Sequence, residues 1–176
     1  MSPQAGRDPW ERLCREHRDA VDDFIDTALR IPASAWNAPL RPGGWTPAQV
    51  AEHIVMAYEV FVGQLAGDPP MKRIASPMMQ RMLRWFLLPH VLFHRSFPVR
   101  AGAPREVTPD GPGIAQDTLE PRLRAASERL DRDIRVATLS HIRHPYFGPV
   151  PMRRALRFIA IHTEHHQRQI AAASRA

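Results

Sequence analysis

Cysteine is nearly absent from this 176-residue chain: Cys14 stands alone. A single thiol excludes an intramolecular disulfide and a cysteine-rich zinc module, and it suits a reducing compartment. Lysine is equally scarce, so the formal net charge of +6 is carried by arginine, with Lys72 the one exception. No block of like charges occurs, and acids interleave with bases between Glu120 and Asp133. That pattern describes solvated helix faces better than a nucleic-acid groove. Long apolar runs are missing too. The most apolar stretch, Met82 to Phe97, is broken by Arg84, Pro89, His90, His94 and Arg95, and is too short and polar to span a bilayer. The residues from Met1 to Asp8 lack the apolar core of a signal peptide. These absences lead to the expectation of a cytoplasmic protein with no nucleic-acid and no membrane partner.

Internal repeats and strand-like alternation are absent as well. What remains is a series of amphipathic helical stretches separated by proline-rich joints, read as a single domain over 1–176. Trp10, Leu13, Cys14, His17, Val21, Phe24, Ala28 and Ile31 recur at three- and four-residue steps, which predicts a first helix from Asp8 to Ile31. A connector, Ala33 to Gly44, follows. Thr46, Pro47 and Gln49 then form a capping-box start for a second helix, with Trp45 placed to pack back onto Val50. Its inward stripe is Val50, His53, Ile54, Ala57, Phe61 and Leu65. A third, very apolar stretch from Ile74 to Phe97 is expected to kink or break at Pro89. Val99 to Gln116 reads as a long proline/glycine loop of the lid or crossover kind. A further helix is expected from Thr118 to Leu139, a turn at His144 to Pro149, and a last helix from Pro151 to Ala173. Amphipathic helices in this order predict an all-α bundle.

The last helix carries His162, His165 and His166. Neutral imidazole is the commonest protein ligand for zinc, nickel and related metals. At helical pitch, His162 and His166 share a face with Ala155, Phe158, Ile159 and Gln169, all within about 60° of one meridian. The bulky apolar members mark that face as inward. His165 falls on its flank, and Glu164 points away. The arrangement therefore differs from the His-Glu-x-x-His motif of zinc proteases. Two imidazoles hold a catalytic ion poorly, so a third must come from another helix. His53 is the first choice and His17 the reserve, while His90 and His94 form a rival i, i+4 pair across a proline. Gln169 is placed to orient a ligand, and Tyr58 and His17 are candidates for the surrounding shell. Arg153, Arg154, Arg157 and Arg168 are solvated charges or the rim of an anion-accepting pocket. Trp85, Phe86, Leu87, Leu88, Leu92 and Phe93 could line a pocket or form a dimer face.

Two segments carry a family resemblance. Gly43-Gly44-Trp45-Thr46-Pro47-Ala48-Gln49-Val50-Ala51-Glu52-His53-Ile54 resembles the opening of helix two in the DinB-like (YfiT/DinB) superfamily of metal-dependent four-helix bundles. His144-Pro145-Tyr146-Phe147-Gly148-Pro149, with His162-Thr163-Glu164-His165-His166-Gln167-Arg168-Gln169, is similar to that family's last joint and helix. The resemblance implies a four-helix bundle, here with an additional apolar helical segment between the second and third core helices. It also implies a three-histidine metal site, carried onto His53, His162 and His166. A zinc or nickel ion, a low-molecular-weight thiol, a small-molecule substrate and a homodimer come with it as expectations. The activity so implied is transfer or hydrolysis; the alternative is a non-catalytic ligand-binding or dimerising bundle with a structural metal.

Overall fold

A computed structural model describes residues 9–99, 101–171 and 173. Its frame is four long helices: α1 (Pro9–Leu29), α3 (Pro47–Leu65), α6 (Gln116–Val136) and α7 (Met152–Ile170). Each packs on two of the others, with α1 and α3 both lying between α6 and α7. The apolar stripes read from the sequence supply the core. Phe24, Ile54, Leu119, Leu123, Leu130, Leu156 and Ile161 are fully buried, each such side chain contributing about 1.5–3 kcal/mol of transfer free energy.

Local chemistry fixes the ends of these helices. Thr46 accepts from the Gln49 backbone N–H while the Gln49 side chain accepts from Thr46 N–H, both at 3.1 Å, and Pro47 fills the first turn. The capping box expected there is present. At the end of α1, the Gln116 amide donates to the carbonyls of Ala28 and Ile31. That satisfies acceptors which a helix end leaves orphaned.

Three stretches depart from the sequence reading. The connector after α1 contains a single helical turn, α2 (Ala33–Trp36), which buries Trp36 and lets its indole donate to Ile114 O at 2.9 Å. The apolar segment runs as α4 (Pro77–Met82), a π-helical turn (Leu83–Leu87) and α5 (Leu88–His94). Pro89 therefore does not break it. Proline cannot donate to the carbonyl four residues back and crowds it; the wider turn just before it accommodates both faults. Finally, the joint before α7 is not a plain turn. It is an antiparallel hairpin of β1 (His141–His144) and β2 (Gly148–Pro151), with His144 opposite Gly148. Strands of four residues are too short to show alternation, and Pro149 and Pro151 disguise the second one.

Ala101 to Ala115 is more than a linker. It holds a 3-10 turn, Arg105–Val107, and then lies along the start of α3. Ile114 N–H donates to Ala48 O, and the Gln49 side chain donates to Gly111 O at 2.8 Å. Gly113 makes this approach feasible: its φ is +90°, and a Cβ there would collide with the Ala48–Gln49 backbone.

Candidate metal centre

Helices α3 and α7 bring His53, His162 and His166 together at their facing surfaces. The Nε2 atom of His162 lies 3.3 Å from Nε2 of His53 and 3.2 Å from Nε2 of His166. All three ligand atoms fall within 4.8 Å of one another. Donors held by one tetrahedral zinc at normal Zn–N lengths sit about 3.4 Å apart. The donor set therefore fits a divalent ion of that kind.

The far side of two rings fixes their tautomer. His53 Nδ1 donates to Val107 O at 2.6 Å, and His166 Nδ1 donates to the Gln169 side-chain oxygen at 2.8 Å. With their protons on Nδ1, both rings turn a lone pair on Nε2 towards the centre. Electrostatics agree. Burial pushes the His53 pKa below the ordinary histidine value, and burial with neighbouring imidazoles takes His162 well below it. Burial, then His53 and His165, hold His166 at about 3. Three uncharged imidazoles at neutral pH are what a metal requires.

Aromatic side chains enclose the trio. Trp45 lies against His53 with ring centroids 5.1 Å apart, and Phe158 stacks parallel to His162. Phe97 reaches back from beyond α5 to touch Phe158, His162 and His165 edge-on. His165 is half-buried on the flank, its pKa lowered by burial and by Arg168. Glu164 does point away, yet not into open water: with Glu16 of α1 it grips Arg95, which ends α5 in a left-handed conformation at φ 51°.

Other candidates fall elsewhere. His17, the reserve ligand, is buried against Asp131, with Nδ1 and Oδ1 3.0 Å apart, and stacks on Tyr58. Tyr58 shares a hydrogen bond with Thr163, and burial raises its phenol pKa. Neither residue hydrogen-bonds the three imidazoles; the two form a separate buried polar network. Among the described residues, His90 and His94 make ring contacts with each other, and His94 with Phe93. Arg153 lies over the Trp10 ring, and Arg168 bonds Arg95 O and Glu164. Two surface depressions, one beside Glu59 and Asp68 and one beside Arg84 and Arg154, are lined by residues other than the trio.

Two contributors escaped the sequence reading. Val107 sits in the loop of the lid or crossover kind, and only a count of what a buried His53 needs at Nδ1 could have asked for it. His144 opens the joint motif before α7, which by itself gives it no role. Its Nδ1 accepts from the Tyr146 and Phe147 backbone N–H groups, so its proton is on Nε2. Its ring packs on Phe147 and Phe158, the latter stacked on His162. Burial holds its pKa at about 3.

A four-helix frame with a buried three-imidazole cluster between two helices defines the class: a helical bundle with a candidate metal centre. The chain belongs to the DinB superfamily, whose sequence pattern matches residues 15–170. Comparison with curated proteins gives no match. Among solved structures, YfiT from Bacillus subtilis superposes with a TM-score of 0.58 at 16% identity, covering 99% of this chain and 89% of that one. That protein is described as a probable metal-dependent hydrolase with an unusual four-helix bundle topology. At this identity the likeness supports the fold.

Proposed function

We propose that the chain is a divalent-metal-dependent enzyme acting on a small molecule by hydrolysis or thiol-dependent transfer, with His53, His162 and His166 as the protein ligands. One observation carries this reading: three Nε2 atoms converge, and two of the rings are held from behind in the metal-binding tautomer. The description of YfiT as a probable metal-dependent hydrolase is consistent with it. Zinc and nickel suit a set of imidazoles alone. A divalent ion in this place supplies Lewis acidity, lowering the pKa of a water or thiol. The protein's own residues do the rest. Val107 O and Gln169 aim two imidazoles. Trp45, Phe97 and Phe158 exclude bulk water, and His162 keeps partial access to solvent. Half-buried His165 lies edge-on to His166 with ring centroids 5.1 Å apart, and a role in proton exchange at the centre is part of this reading.

A second reading takes the ligand face to be one of two surface depressions lined by residues other than the trio. In it a structural metal staples α3 to α7, and the bundle binds a ligand or a second copy without chemistry. A screen of esters, amides and thiol conjugates separates the two. The enzyme reading expects turnover that is lost on chelation, restored by zinc or nickel, and absent from His162→Ala. Metal-loaded protein without turnover, whose melting temperature falls on chelation, supports the structural reading.

A further inference from the structure

The segment running from α4 to α5 turns apolar side chains in both directions. Leu88, Val91 and Leu92 are buried against the bundle. Outward, Met78, Met82, Trp85, Phe86, Pro89 and Phe93 recur at three- and four-residue steps and are all exposed. Trp85 is 69% exposed, Phe86 77% and Phe93 80%. A surface helix normally turns charge outward, and a contiguous exposed stripe of this size marks an interaction face.

Charge identifies what the stripe meets. From Pro69 to Arg105 the chain has seven basic residues and no acid. Seven of the 24 lysines and arginines thus fall here, leaving 17 against all 18 acids elsewhere. The net positive charge of the protein resides in the segment that bears the exposed aromatics. Arg95 is spent on Glu16 and Glu164. Arg81 of α4, however, is exposed among the stripe's residues, as are Lys72 and Arg73 just before α4, where Lys72 N–H donates to Glu106. Arg84, held by the Phe147 and Pro149 carbonyls, shares with Arg154 and Trp85 a surface depression of about 440 Å³.

We propose that this face docks the protein on an anionic lipid surface. An isologous contact with a second copy would set the same net-basic segment against itself. A lipid surface answers both halves of the pattern: acyl chains receive Trp85, Phe86 and Phe93, and phosphate headgroups meet the arginines at the rim. Long arginine side chains reach such headgroups while their stems stay apolar. No helix here is long and apolar enough to cross a membrane, and peripheral docking does not need one. The expectation of no membrane partner follows from missing spanning and signal segments, neither of which peripheral docking uses.

Co-sedimentation of the untagged full chain with vesicles tests this. Phosphatidylcholine vesicles are compared with vesicles containing about one third phosphatidylglycerol. Binding to the anionic vesicles is expected to be about tenfold stronger or more, and to weaken several-fold as salt rises. Trp85 emission shifts to the blue on binding. The exposed double variant Phe86→Ser/Phe93→Ser loses about tenfold or more with its melting temperature retained. Arg81→Glu weakens binding to the anionic vesicles only. Equal binding to both vesicle types, no binding to either, or undiminished binding by the double variant overturns the proposal. A dimer seen by light scattering that the double variant dissolves also overturns it, because the face then belongs to a second copy.

Discussion

The Nε2 atoms of His53 and His162 lie 3.3 Å apart across 109 residues of sequence. Two N–H groups cannot face each other at that distance, so at least one ring presents a lone pair. The Val107 carbonyl behind His53 makes that ring the acceptor. A single backbone carbonyl from a loop thus sets the chemistry of a helix-borne imidazole.

Gln169 holds His166 in the same way, through Nδ1. Gln169→Leu is expected to leave the fold intact and to weaken metal affinity by about 10- to 100-fold. Competition titration against a chromophoric chelator reads the change. An unchanged affinity would show that the amide does not orient the ring.

The strap that carries Val107 is pinned by Gly113. Its φ of +90° and the Ala48–Gln49 backbone beside it leave no room for a methyl group. Gly113→Ala is expected to destabilise the protein by about 3 kcal/mol or more, measured by urea unfolding. Where the variant still folds, its metal affinity falls too, because Val107 O shifts away from His53. Wild-type stability in this variant contradicts the close approach.

Acid sensitivity follows from four imidazoles whose pKa values burial lowers. The pKa values of His53 and His162 lie below the ordinary value, and those of His144 and His166 at about 3. In the unfolded chain each returns to about 6.5. Groups depressed by folding contribute their stability above the unfolded value and lose it as pH falls towards the folded one. The metal-free protein should therefore keep a constant melting temperature above pH about 6.5. Below that it should lose up to about 1.4 kcal/mol per pH unit for each histidine that must stay neutral. A melting temperature that is flat down to pH about 4 argues against buried neutral imidazoles.

The His17–Asp131 pair makes a different demand. Burial raises the Asp131 carboxyl, but His17 and Arg18 together hold it below its usual range. His17 Nε2 has no hydrogen-bond partner among the described residues. Asp131→Ala removes the acceptor from a fully buried ring and is expected to lose about 2–4 kcal/mol by thermal or urea unfolding. Replacing His17 by Phe in that background should recover part of the loss. Metal content stays unchanged in both variants, since this network does not touch the trio.

Much of this was legible in the sequence because helical periodicity is local. The stripes of α1, α3, α6 and α7, the Thr46–Gln49 box and the inward face shared by His162 and His166 all follow from neighbours within a few turns. That His53 joins them came from its inward placement and from family motifs. Features that depend on distant partners were not legible. Val107 O finds His53 across 54 residues, and Gly148 faces His144 only once the hairpin has closed. A kink or break is expected at Pro89 because proline is judged on a standard helix. A π-turn, which lets the chain continue, leaves no periodic signature over five residues.

The central claim is that His53, His162 and His166 hold a divalent ion, and elemental analysis of untagged protein tests it most directly. Protein from cells supplied with zinc and nickel should carry about one ion per chain. His53→Ala and His166→Ala should each retain less than about a tenth of that, with helical circular dichroism preserved. Metal-free wild type after supplementation, or full metal content in either variant, would contradict the assignment.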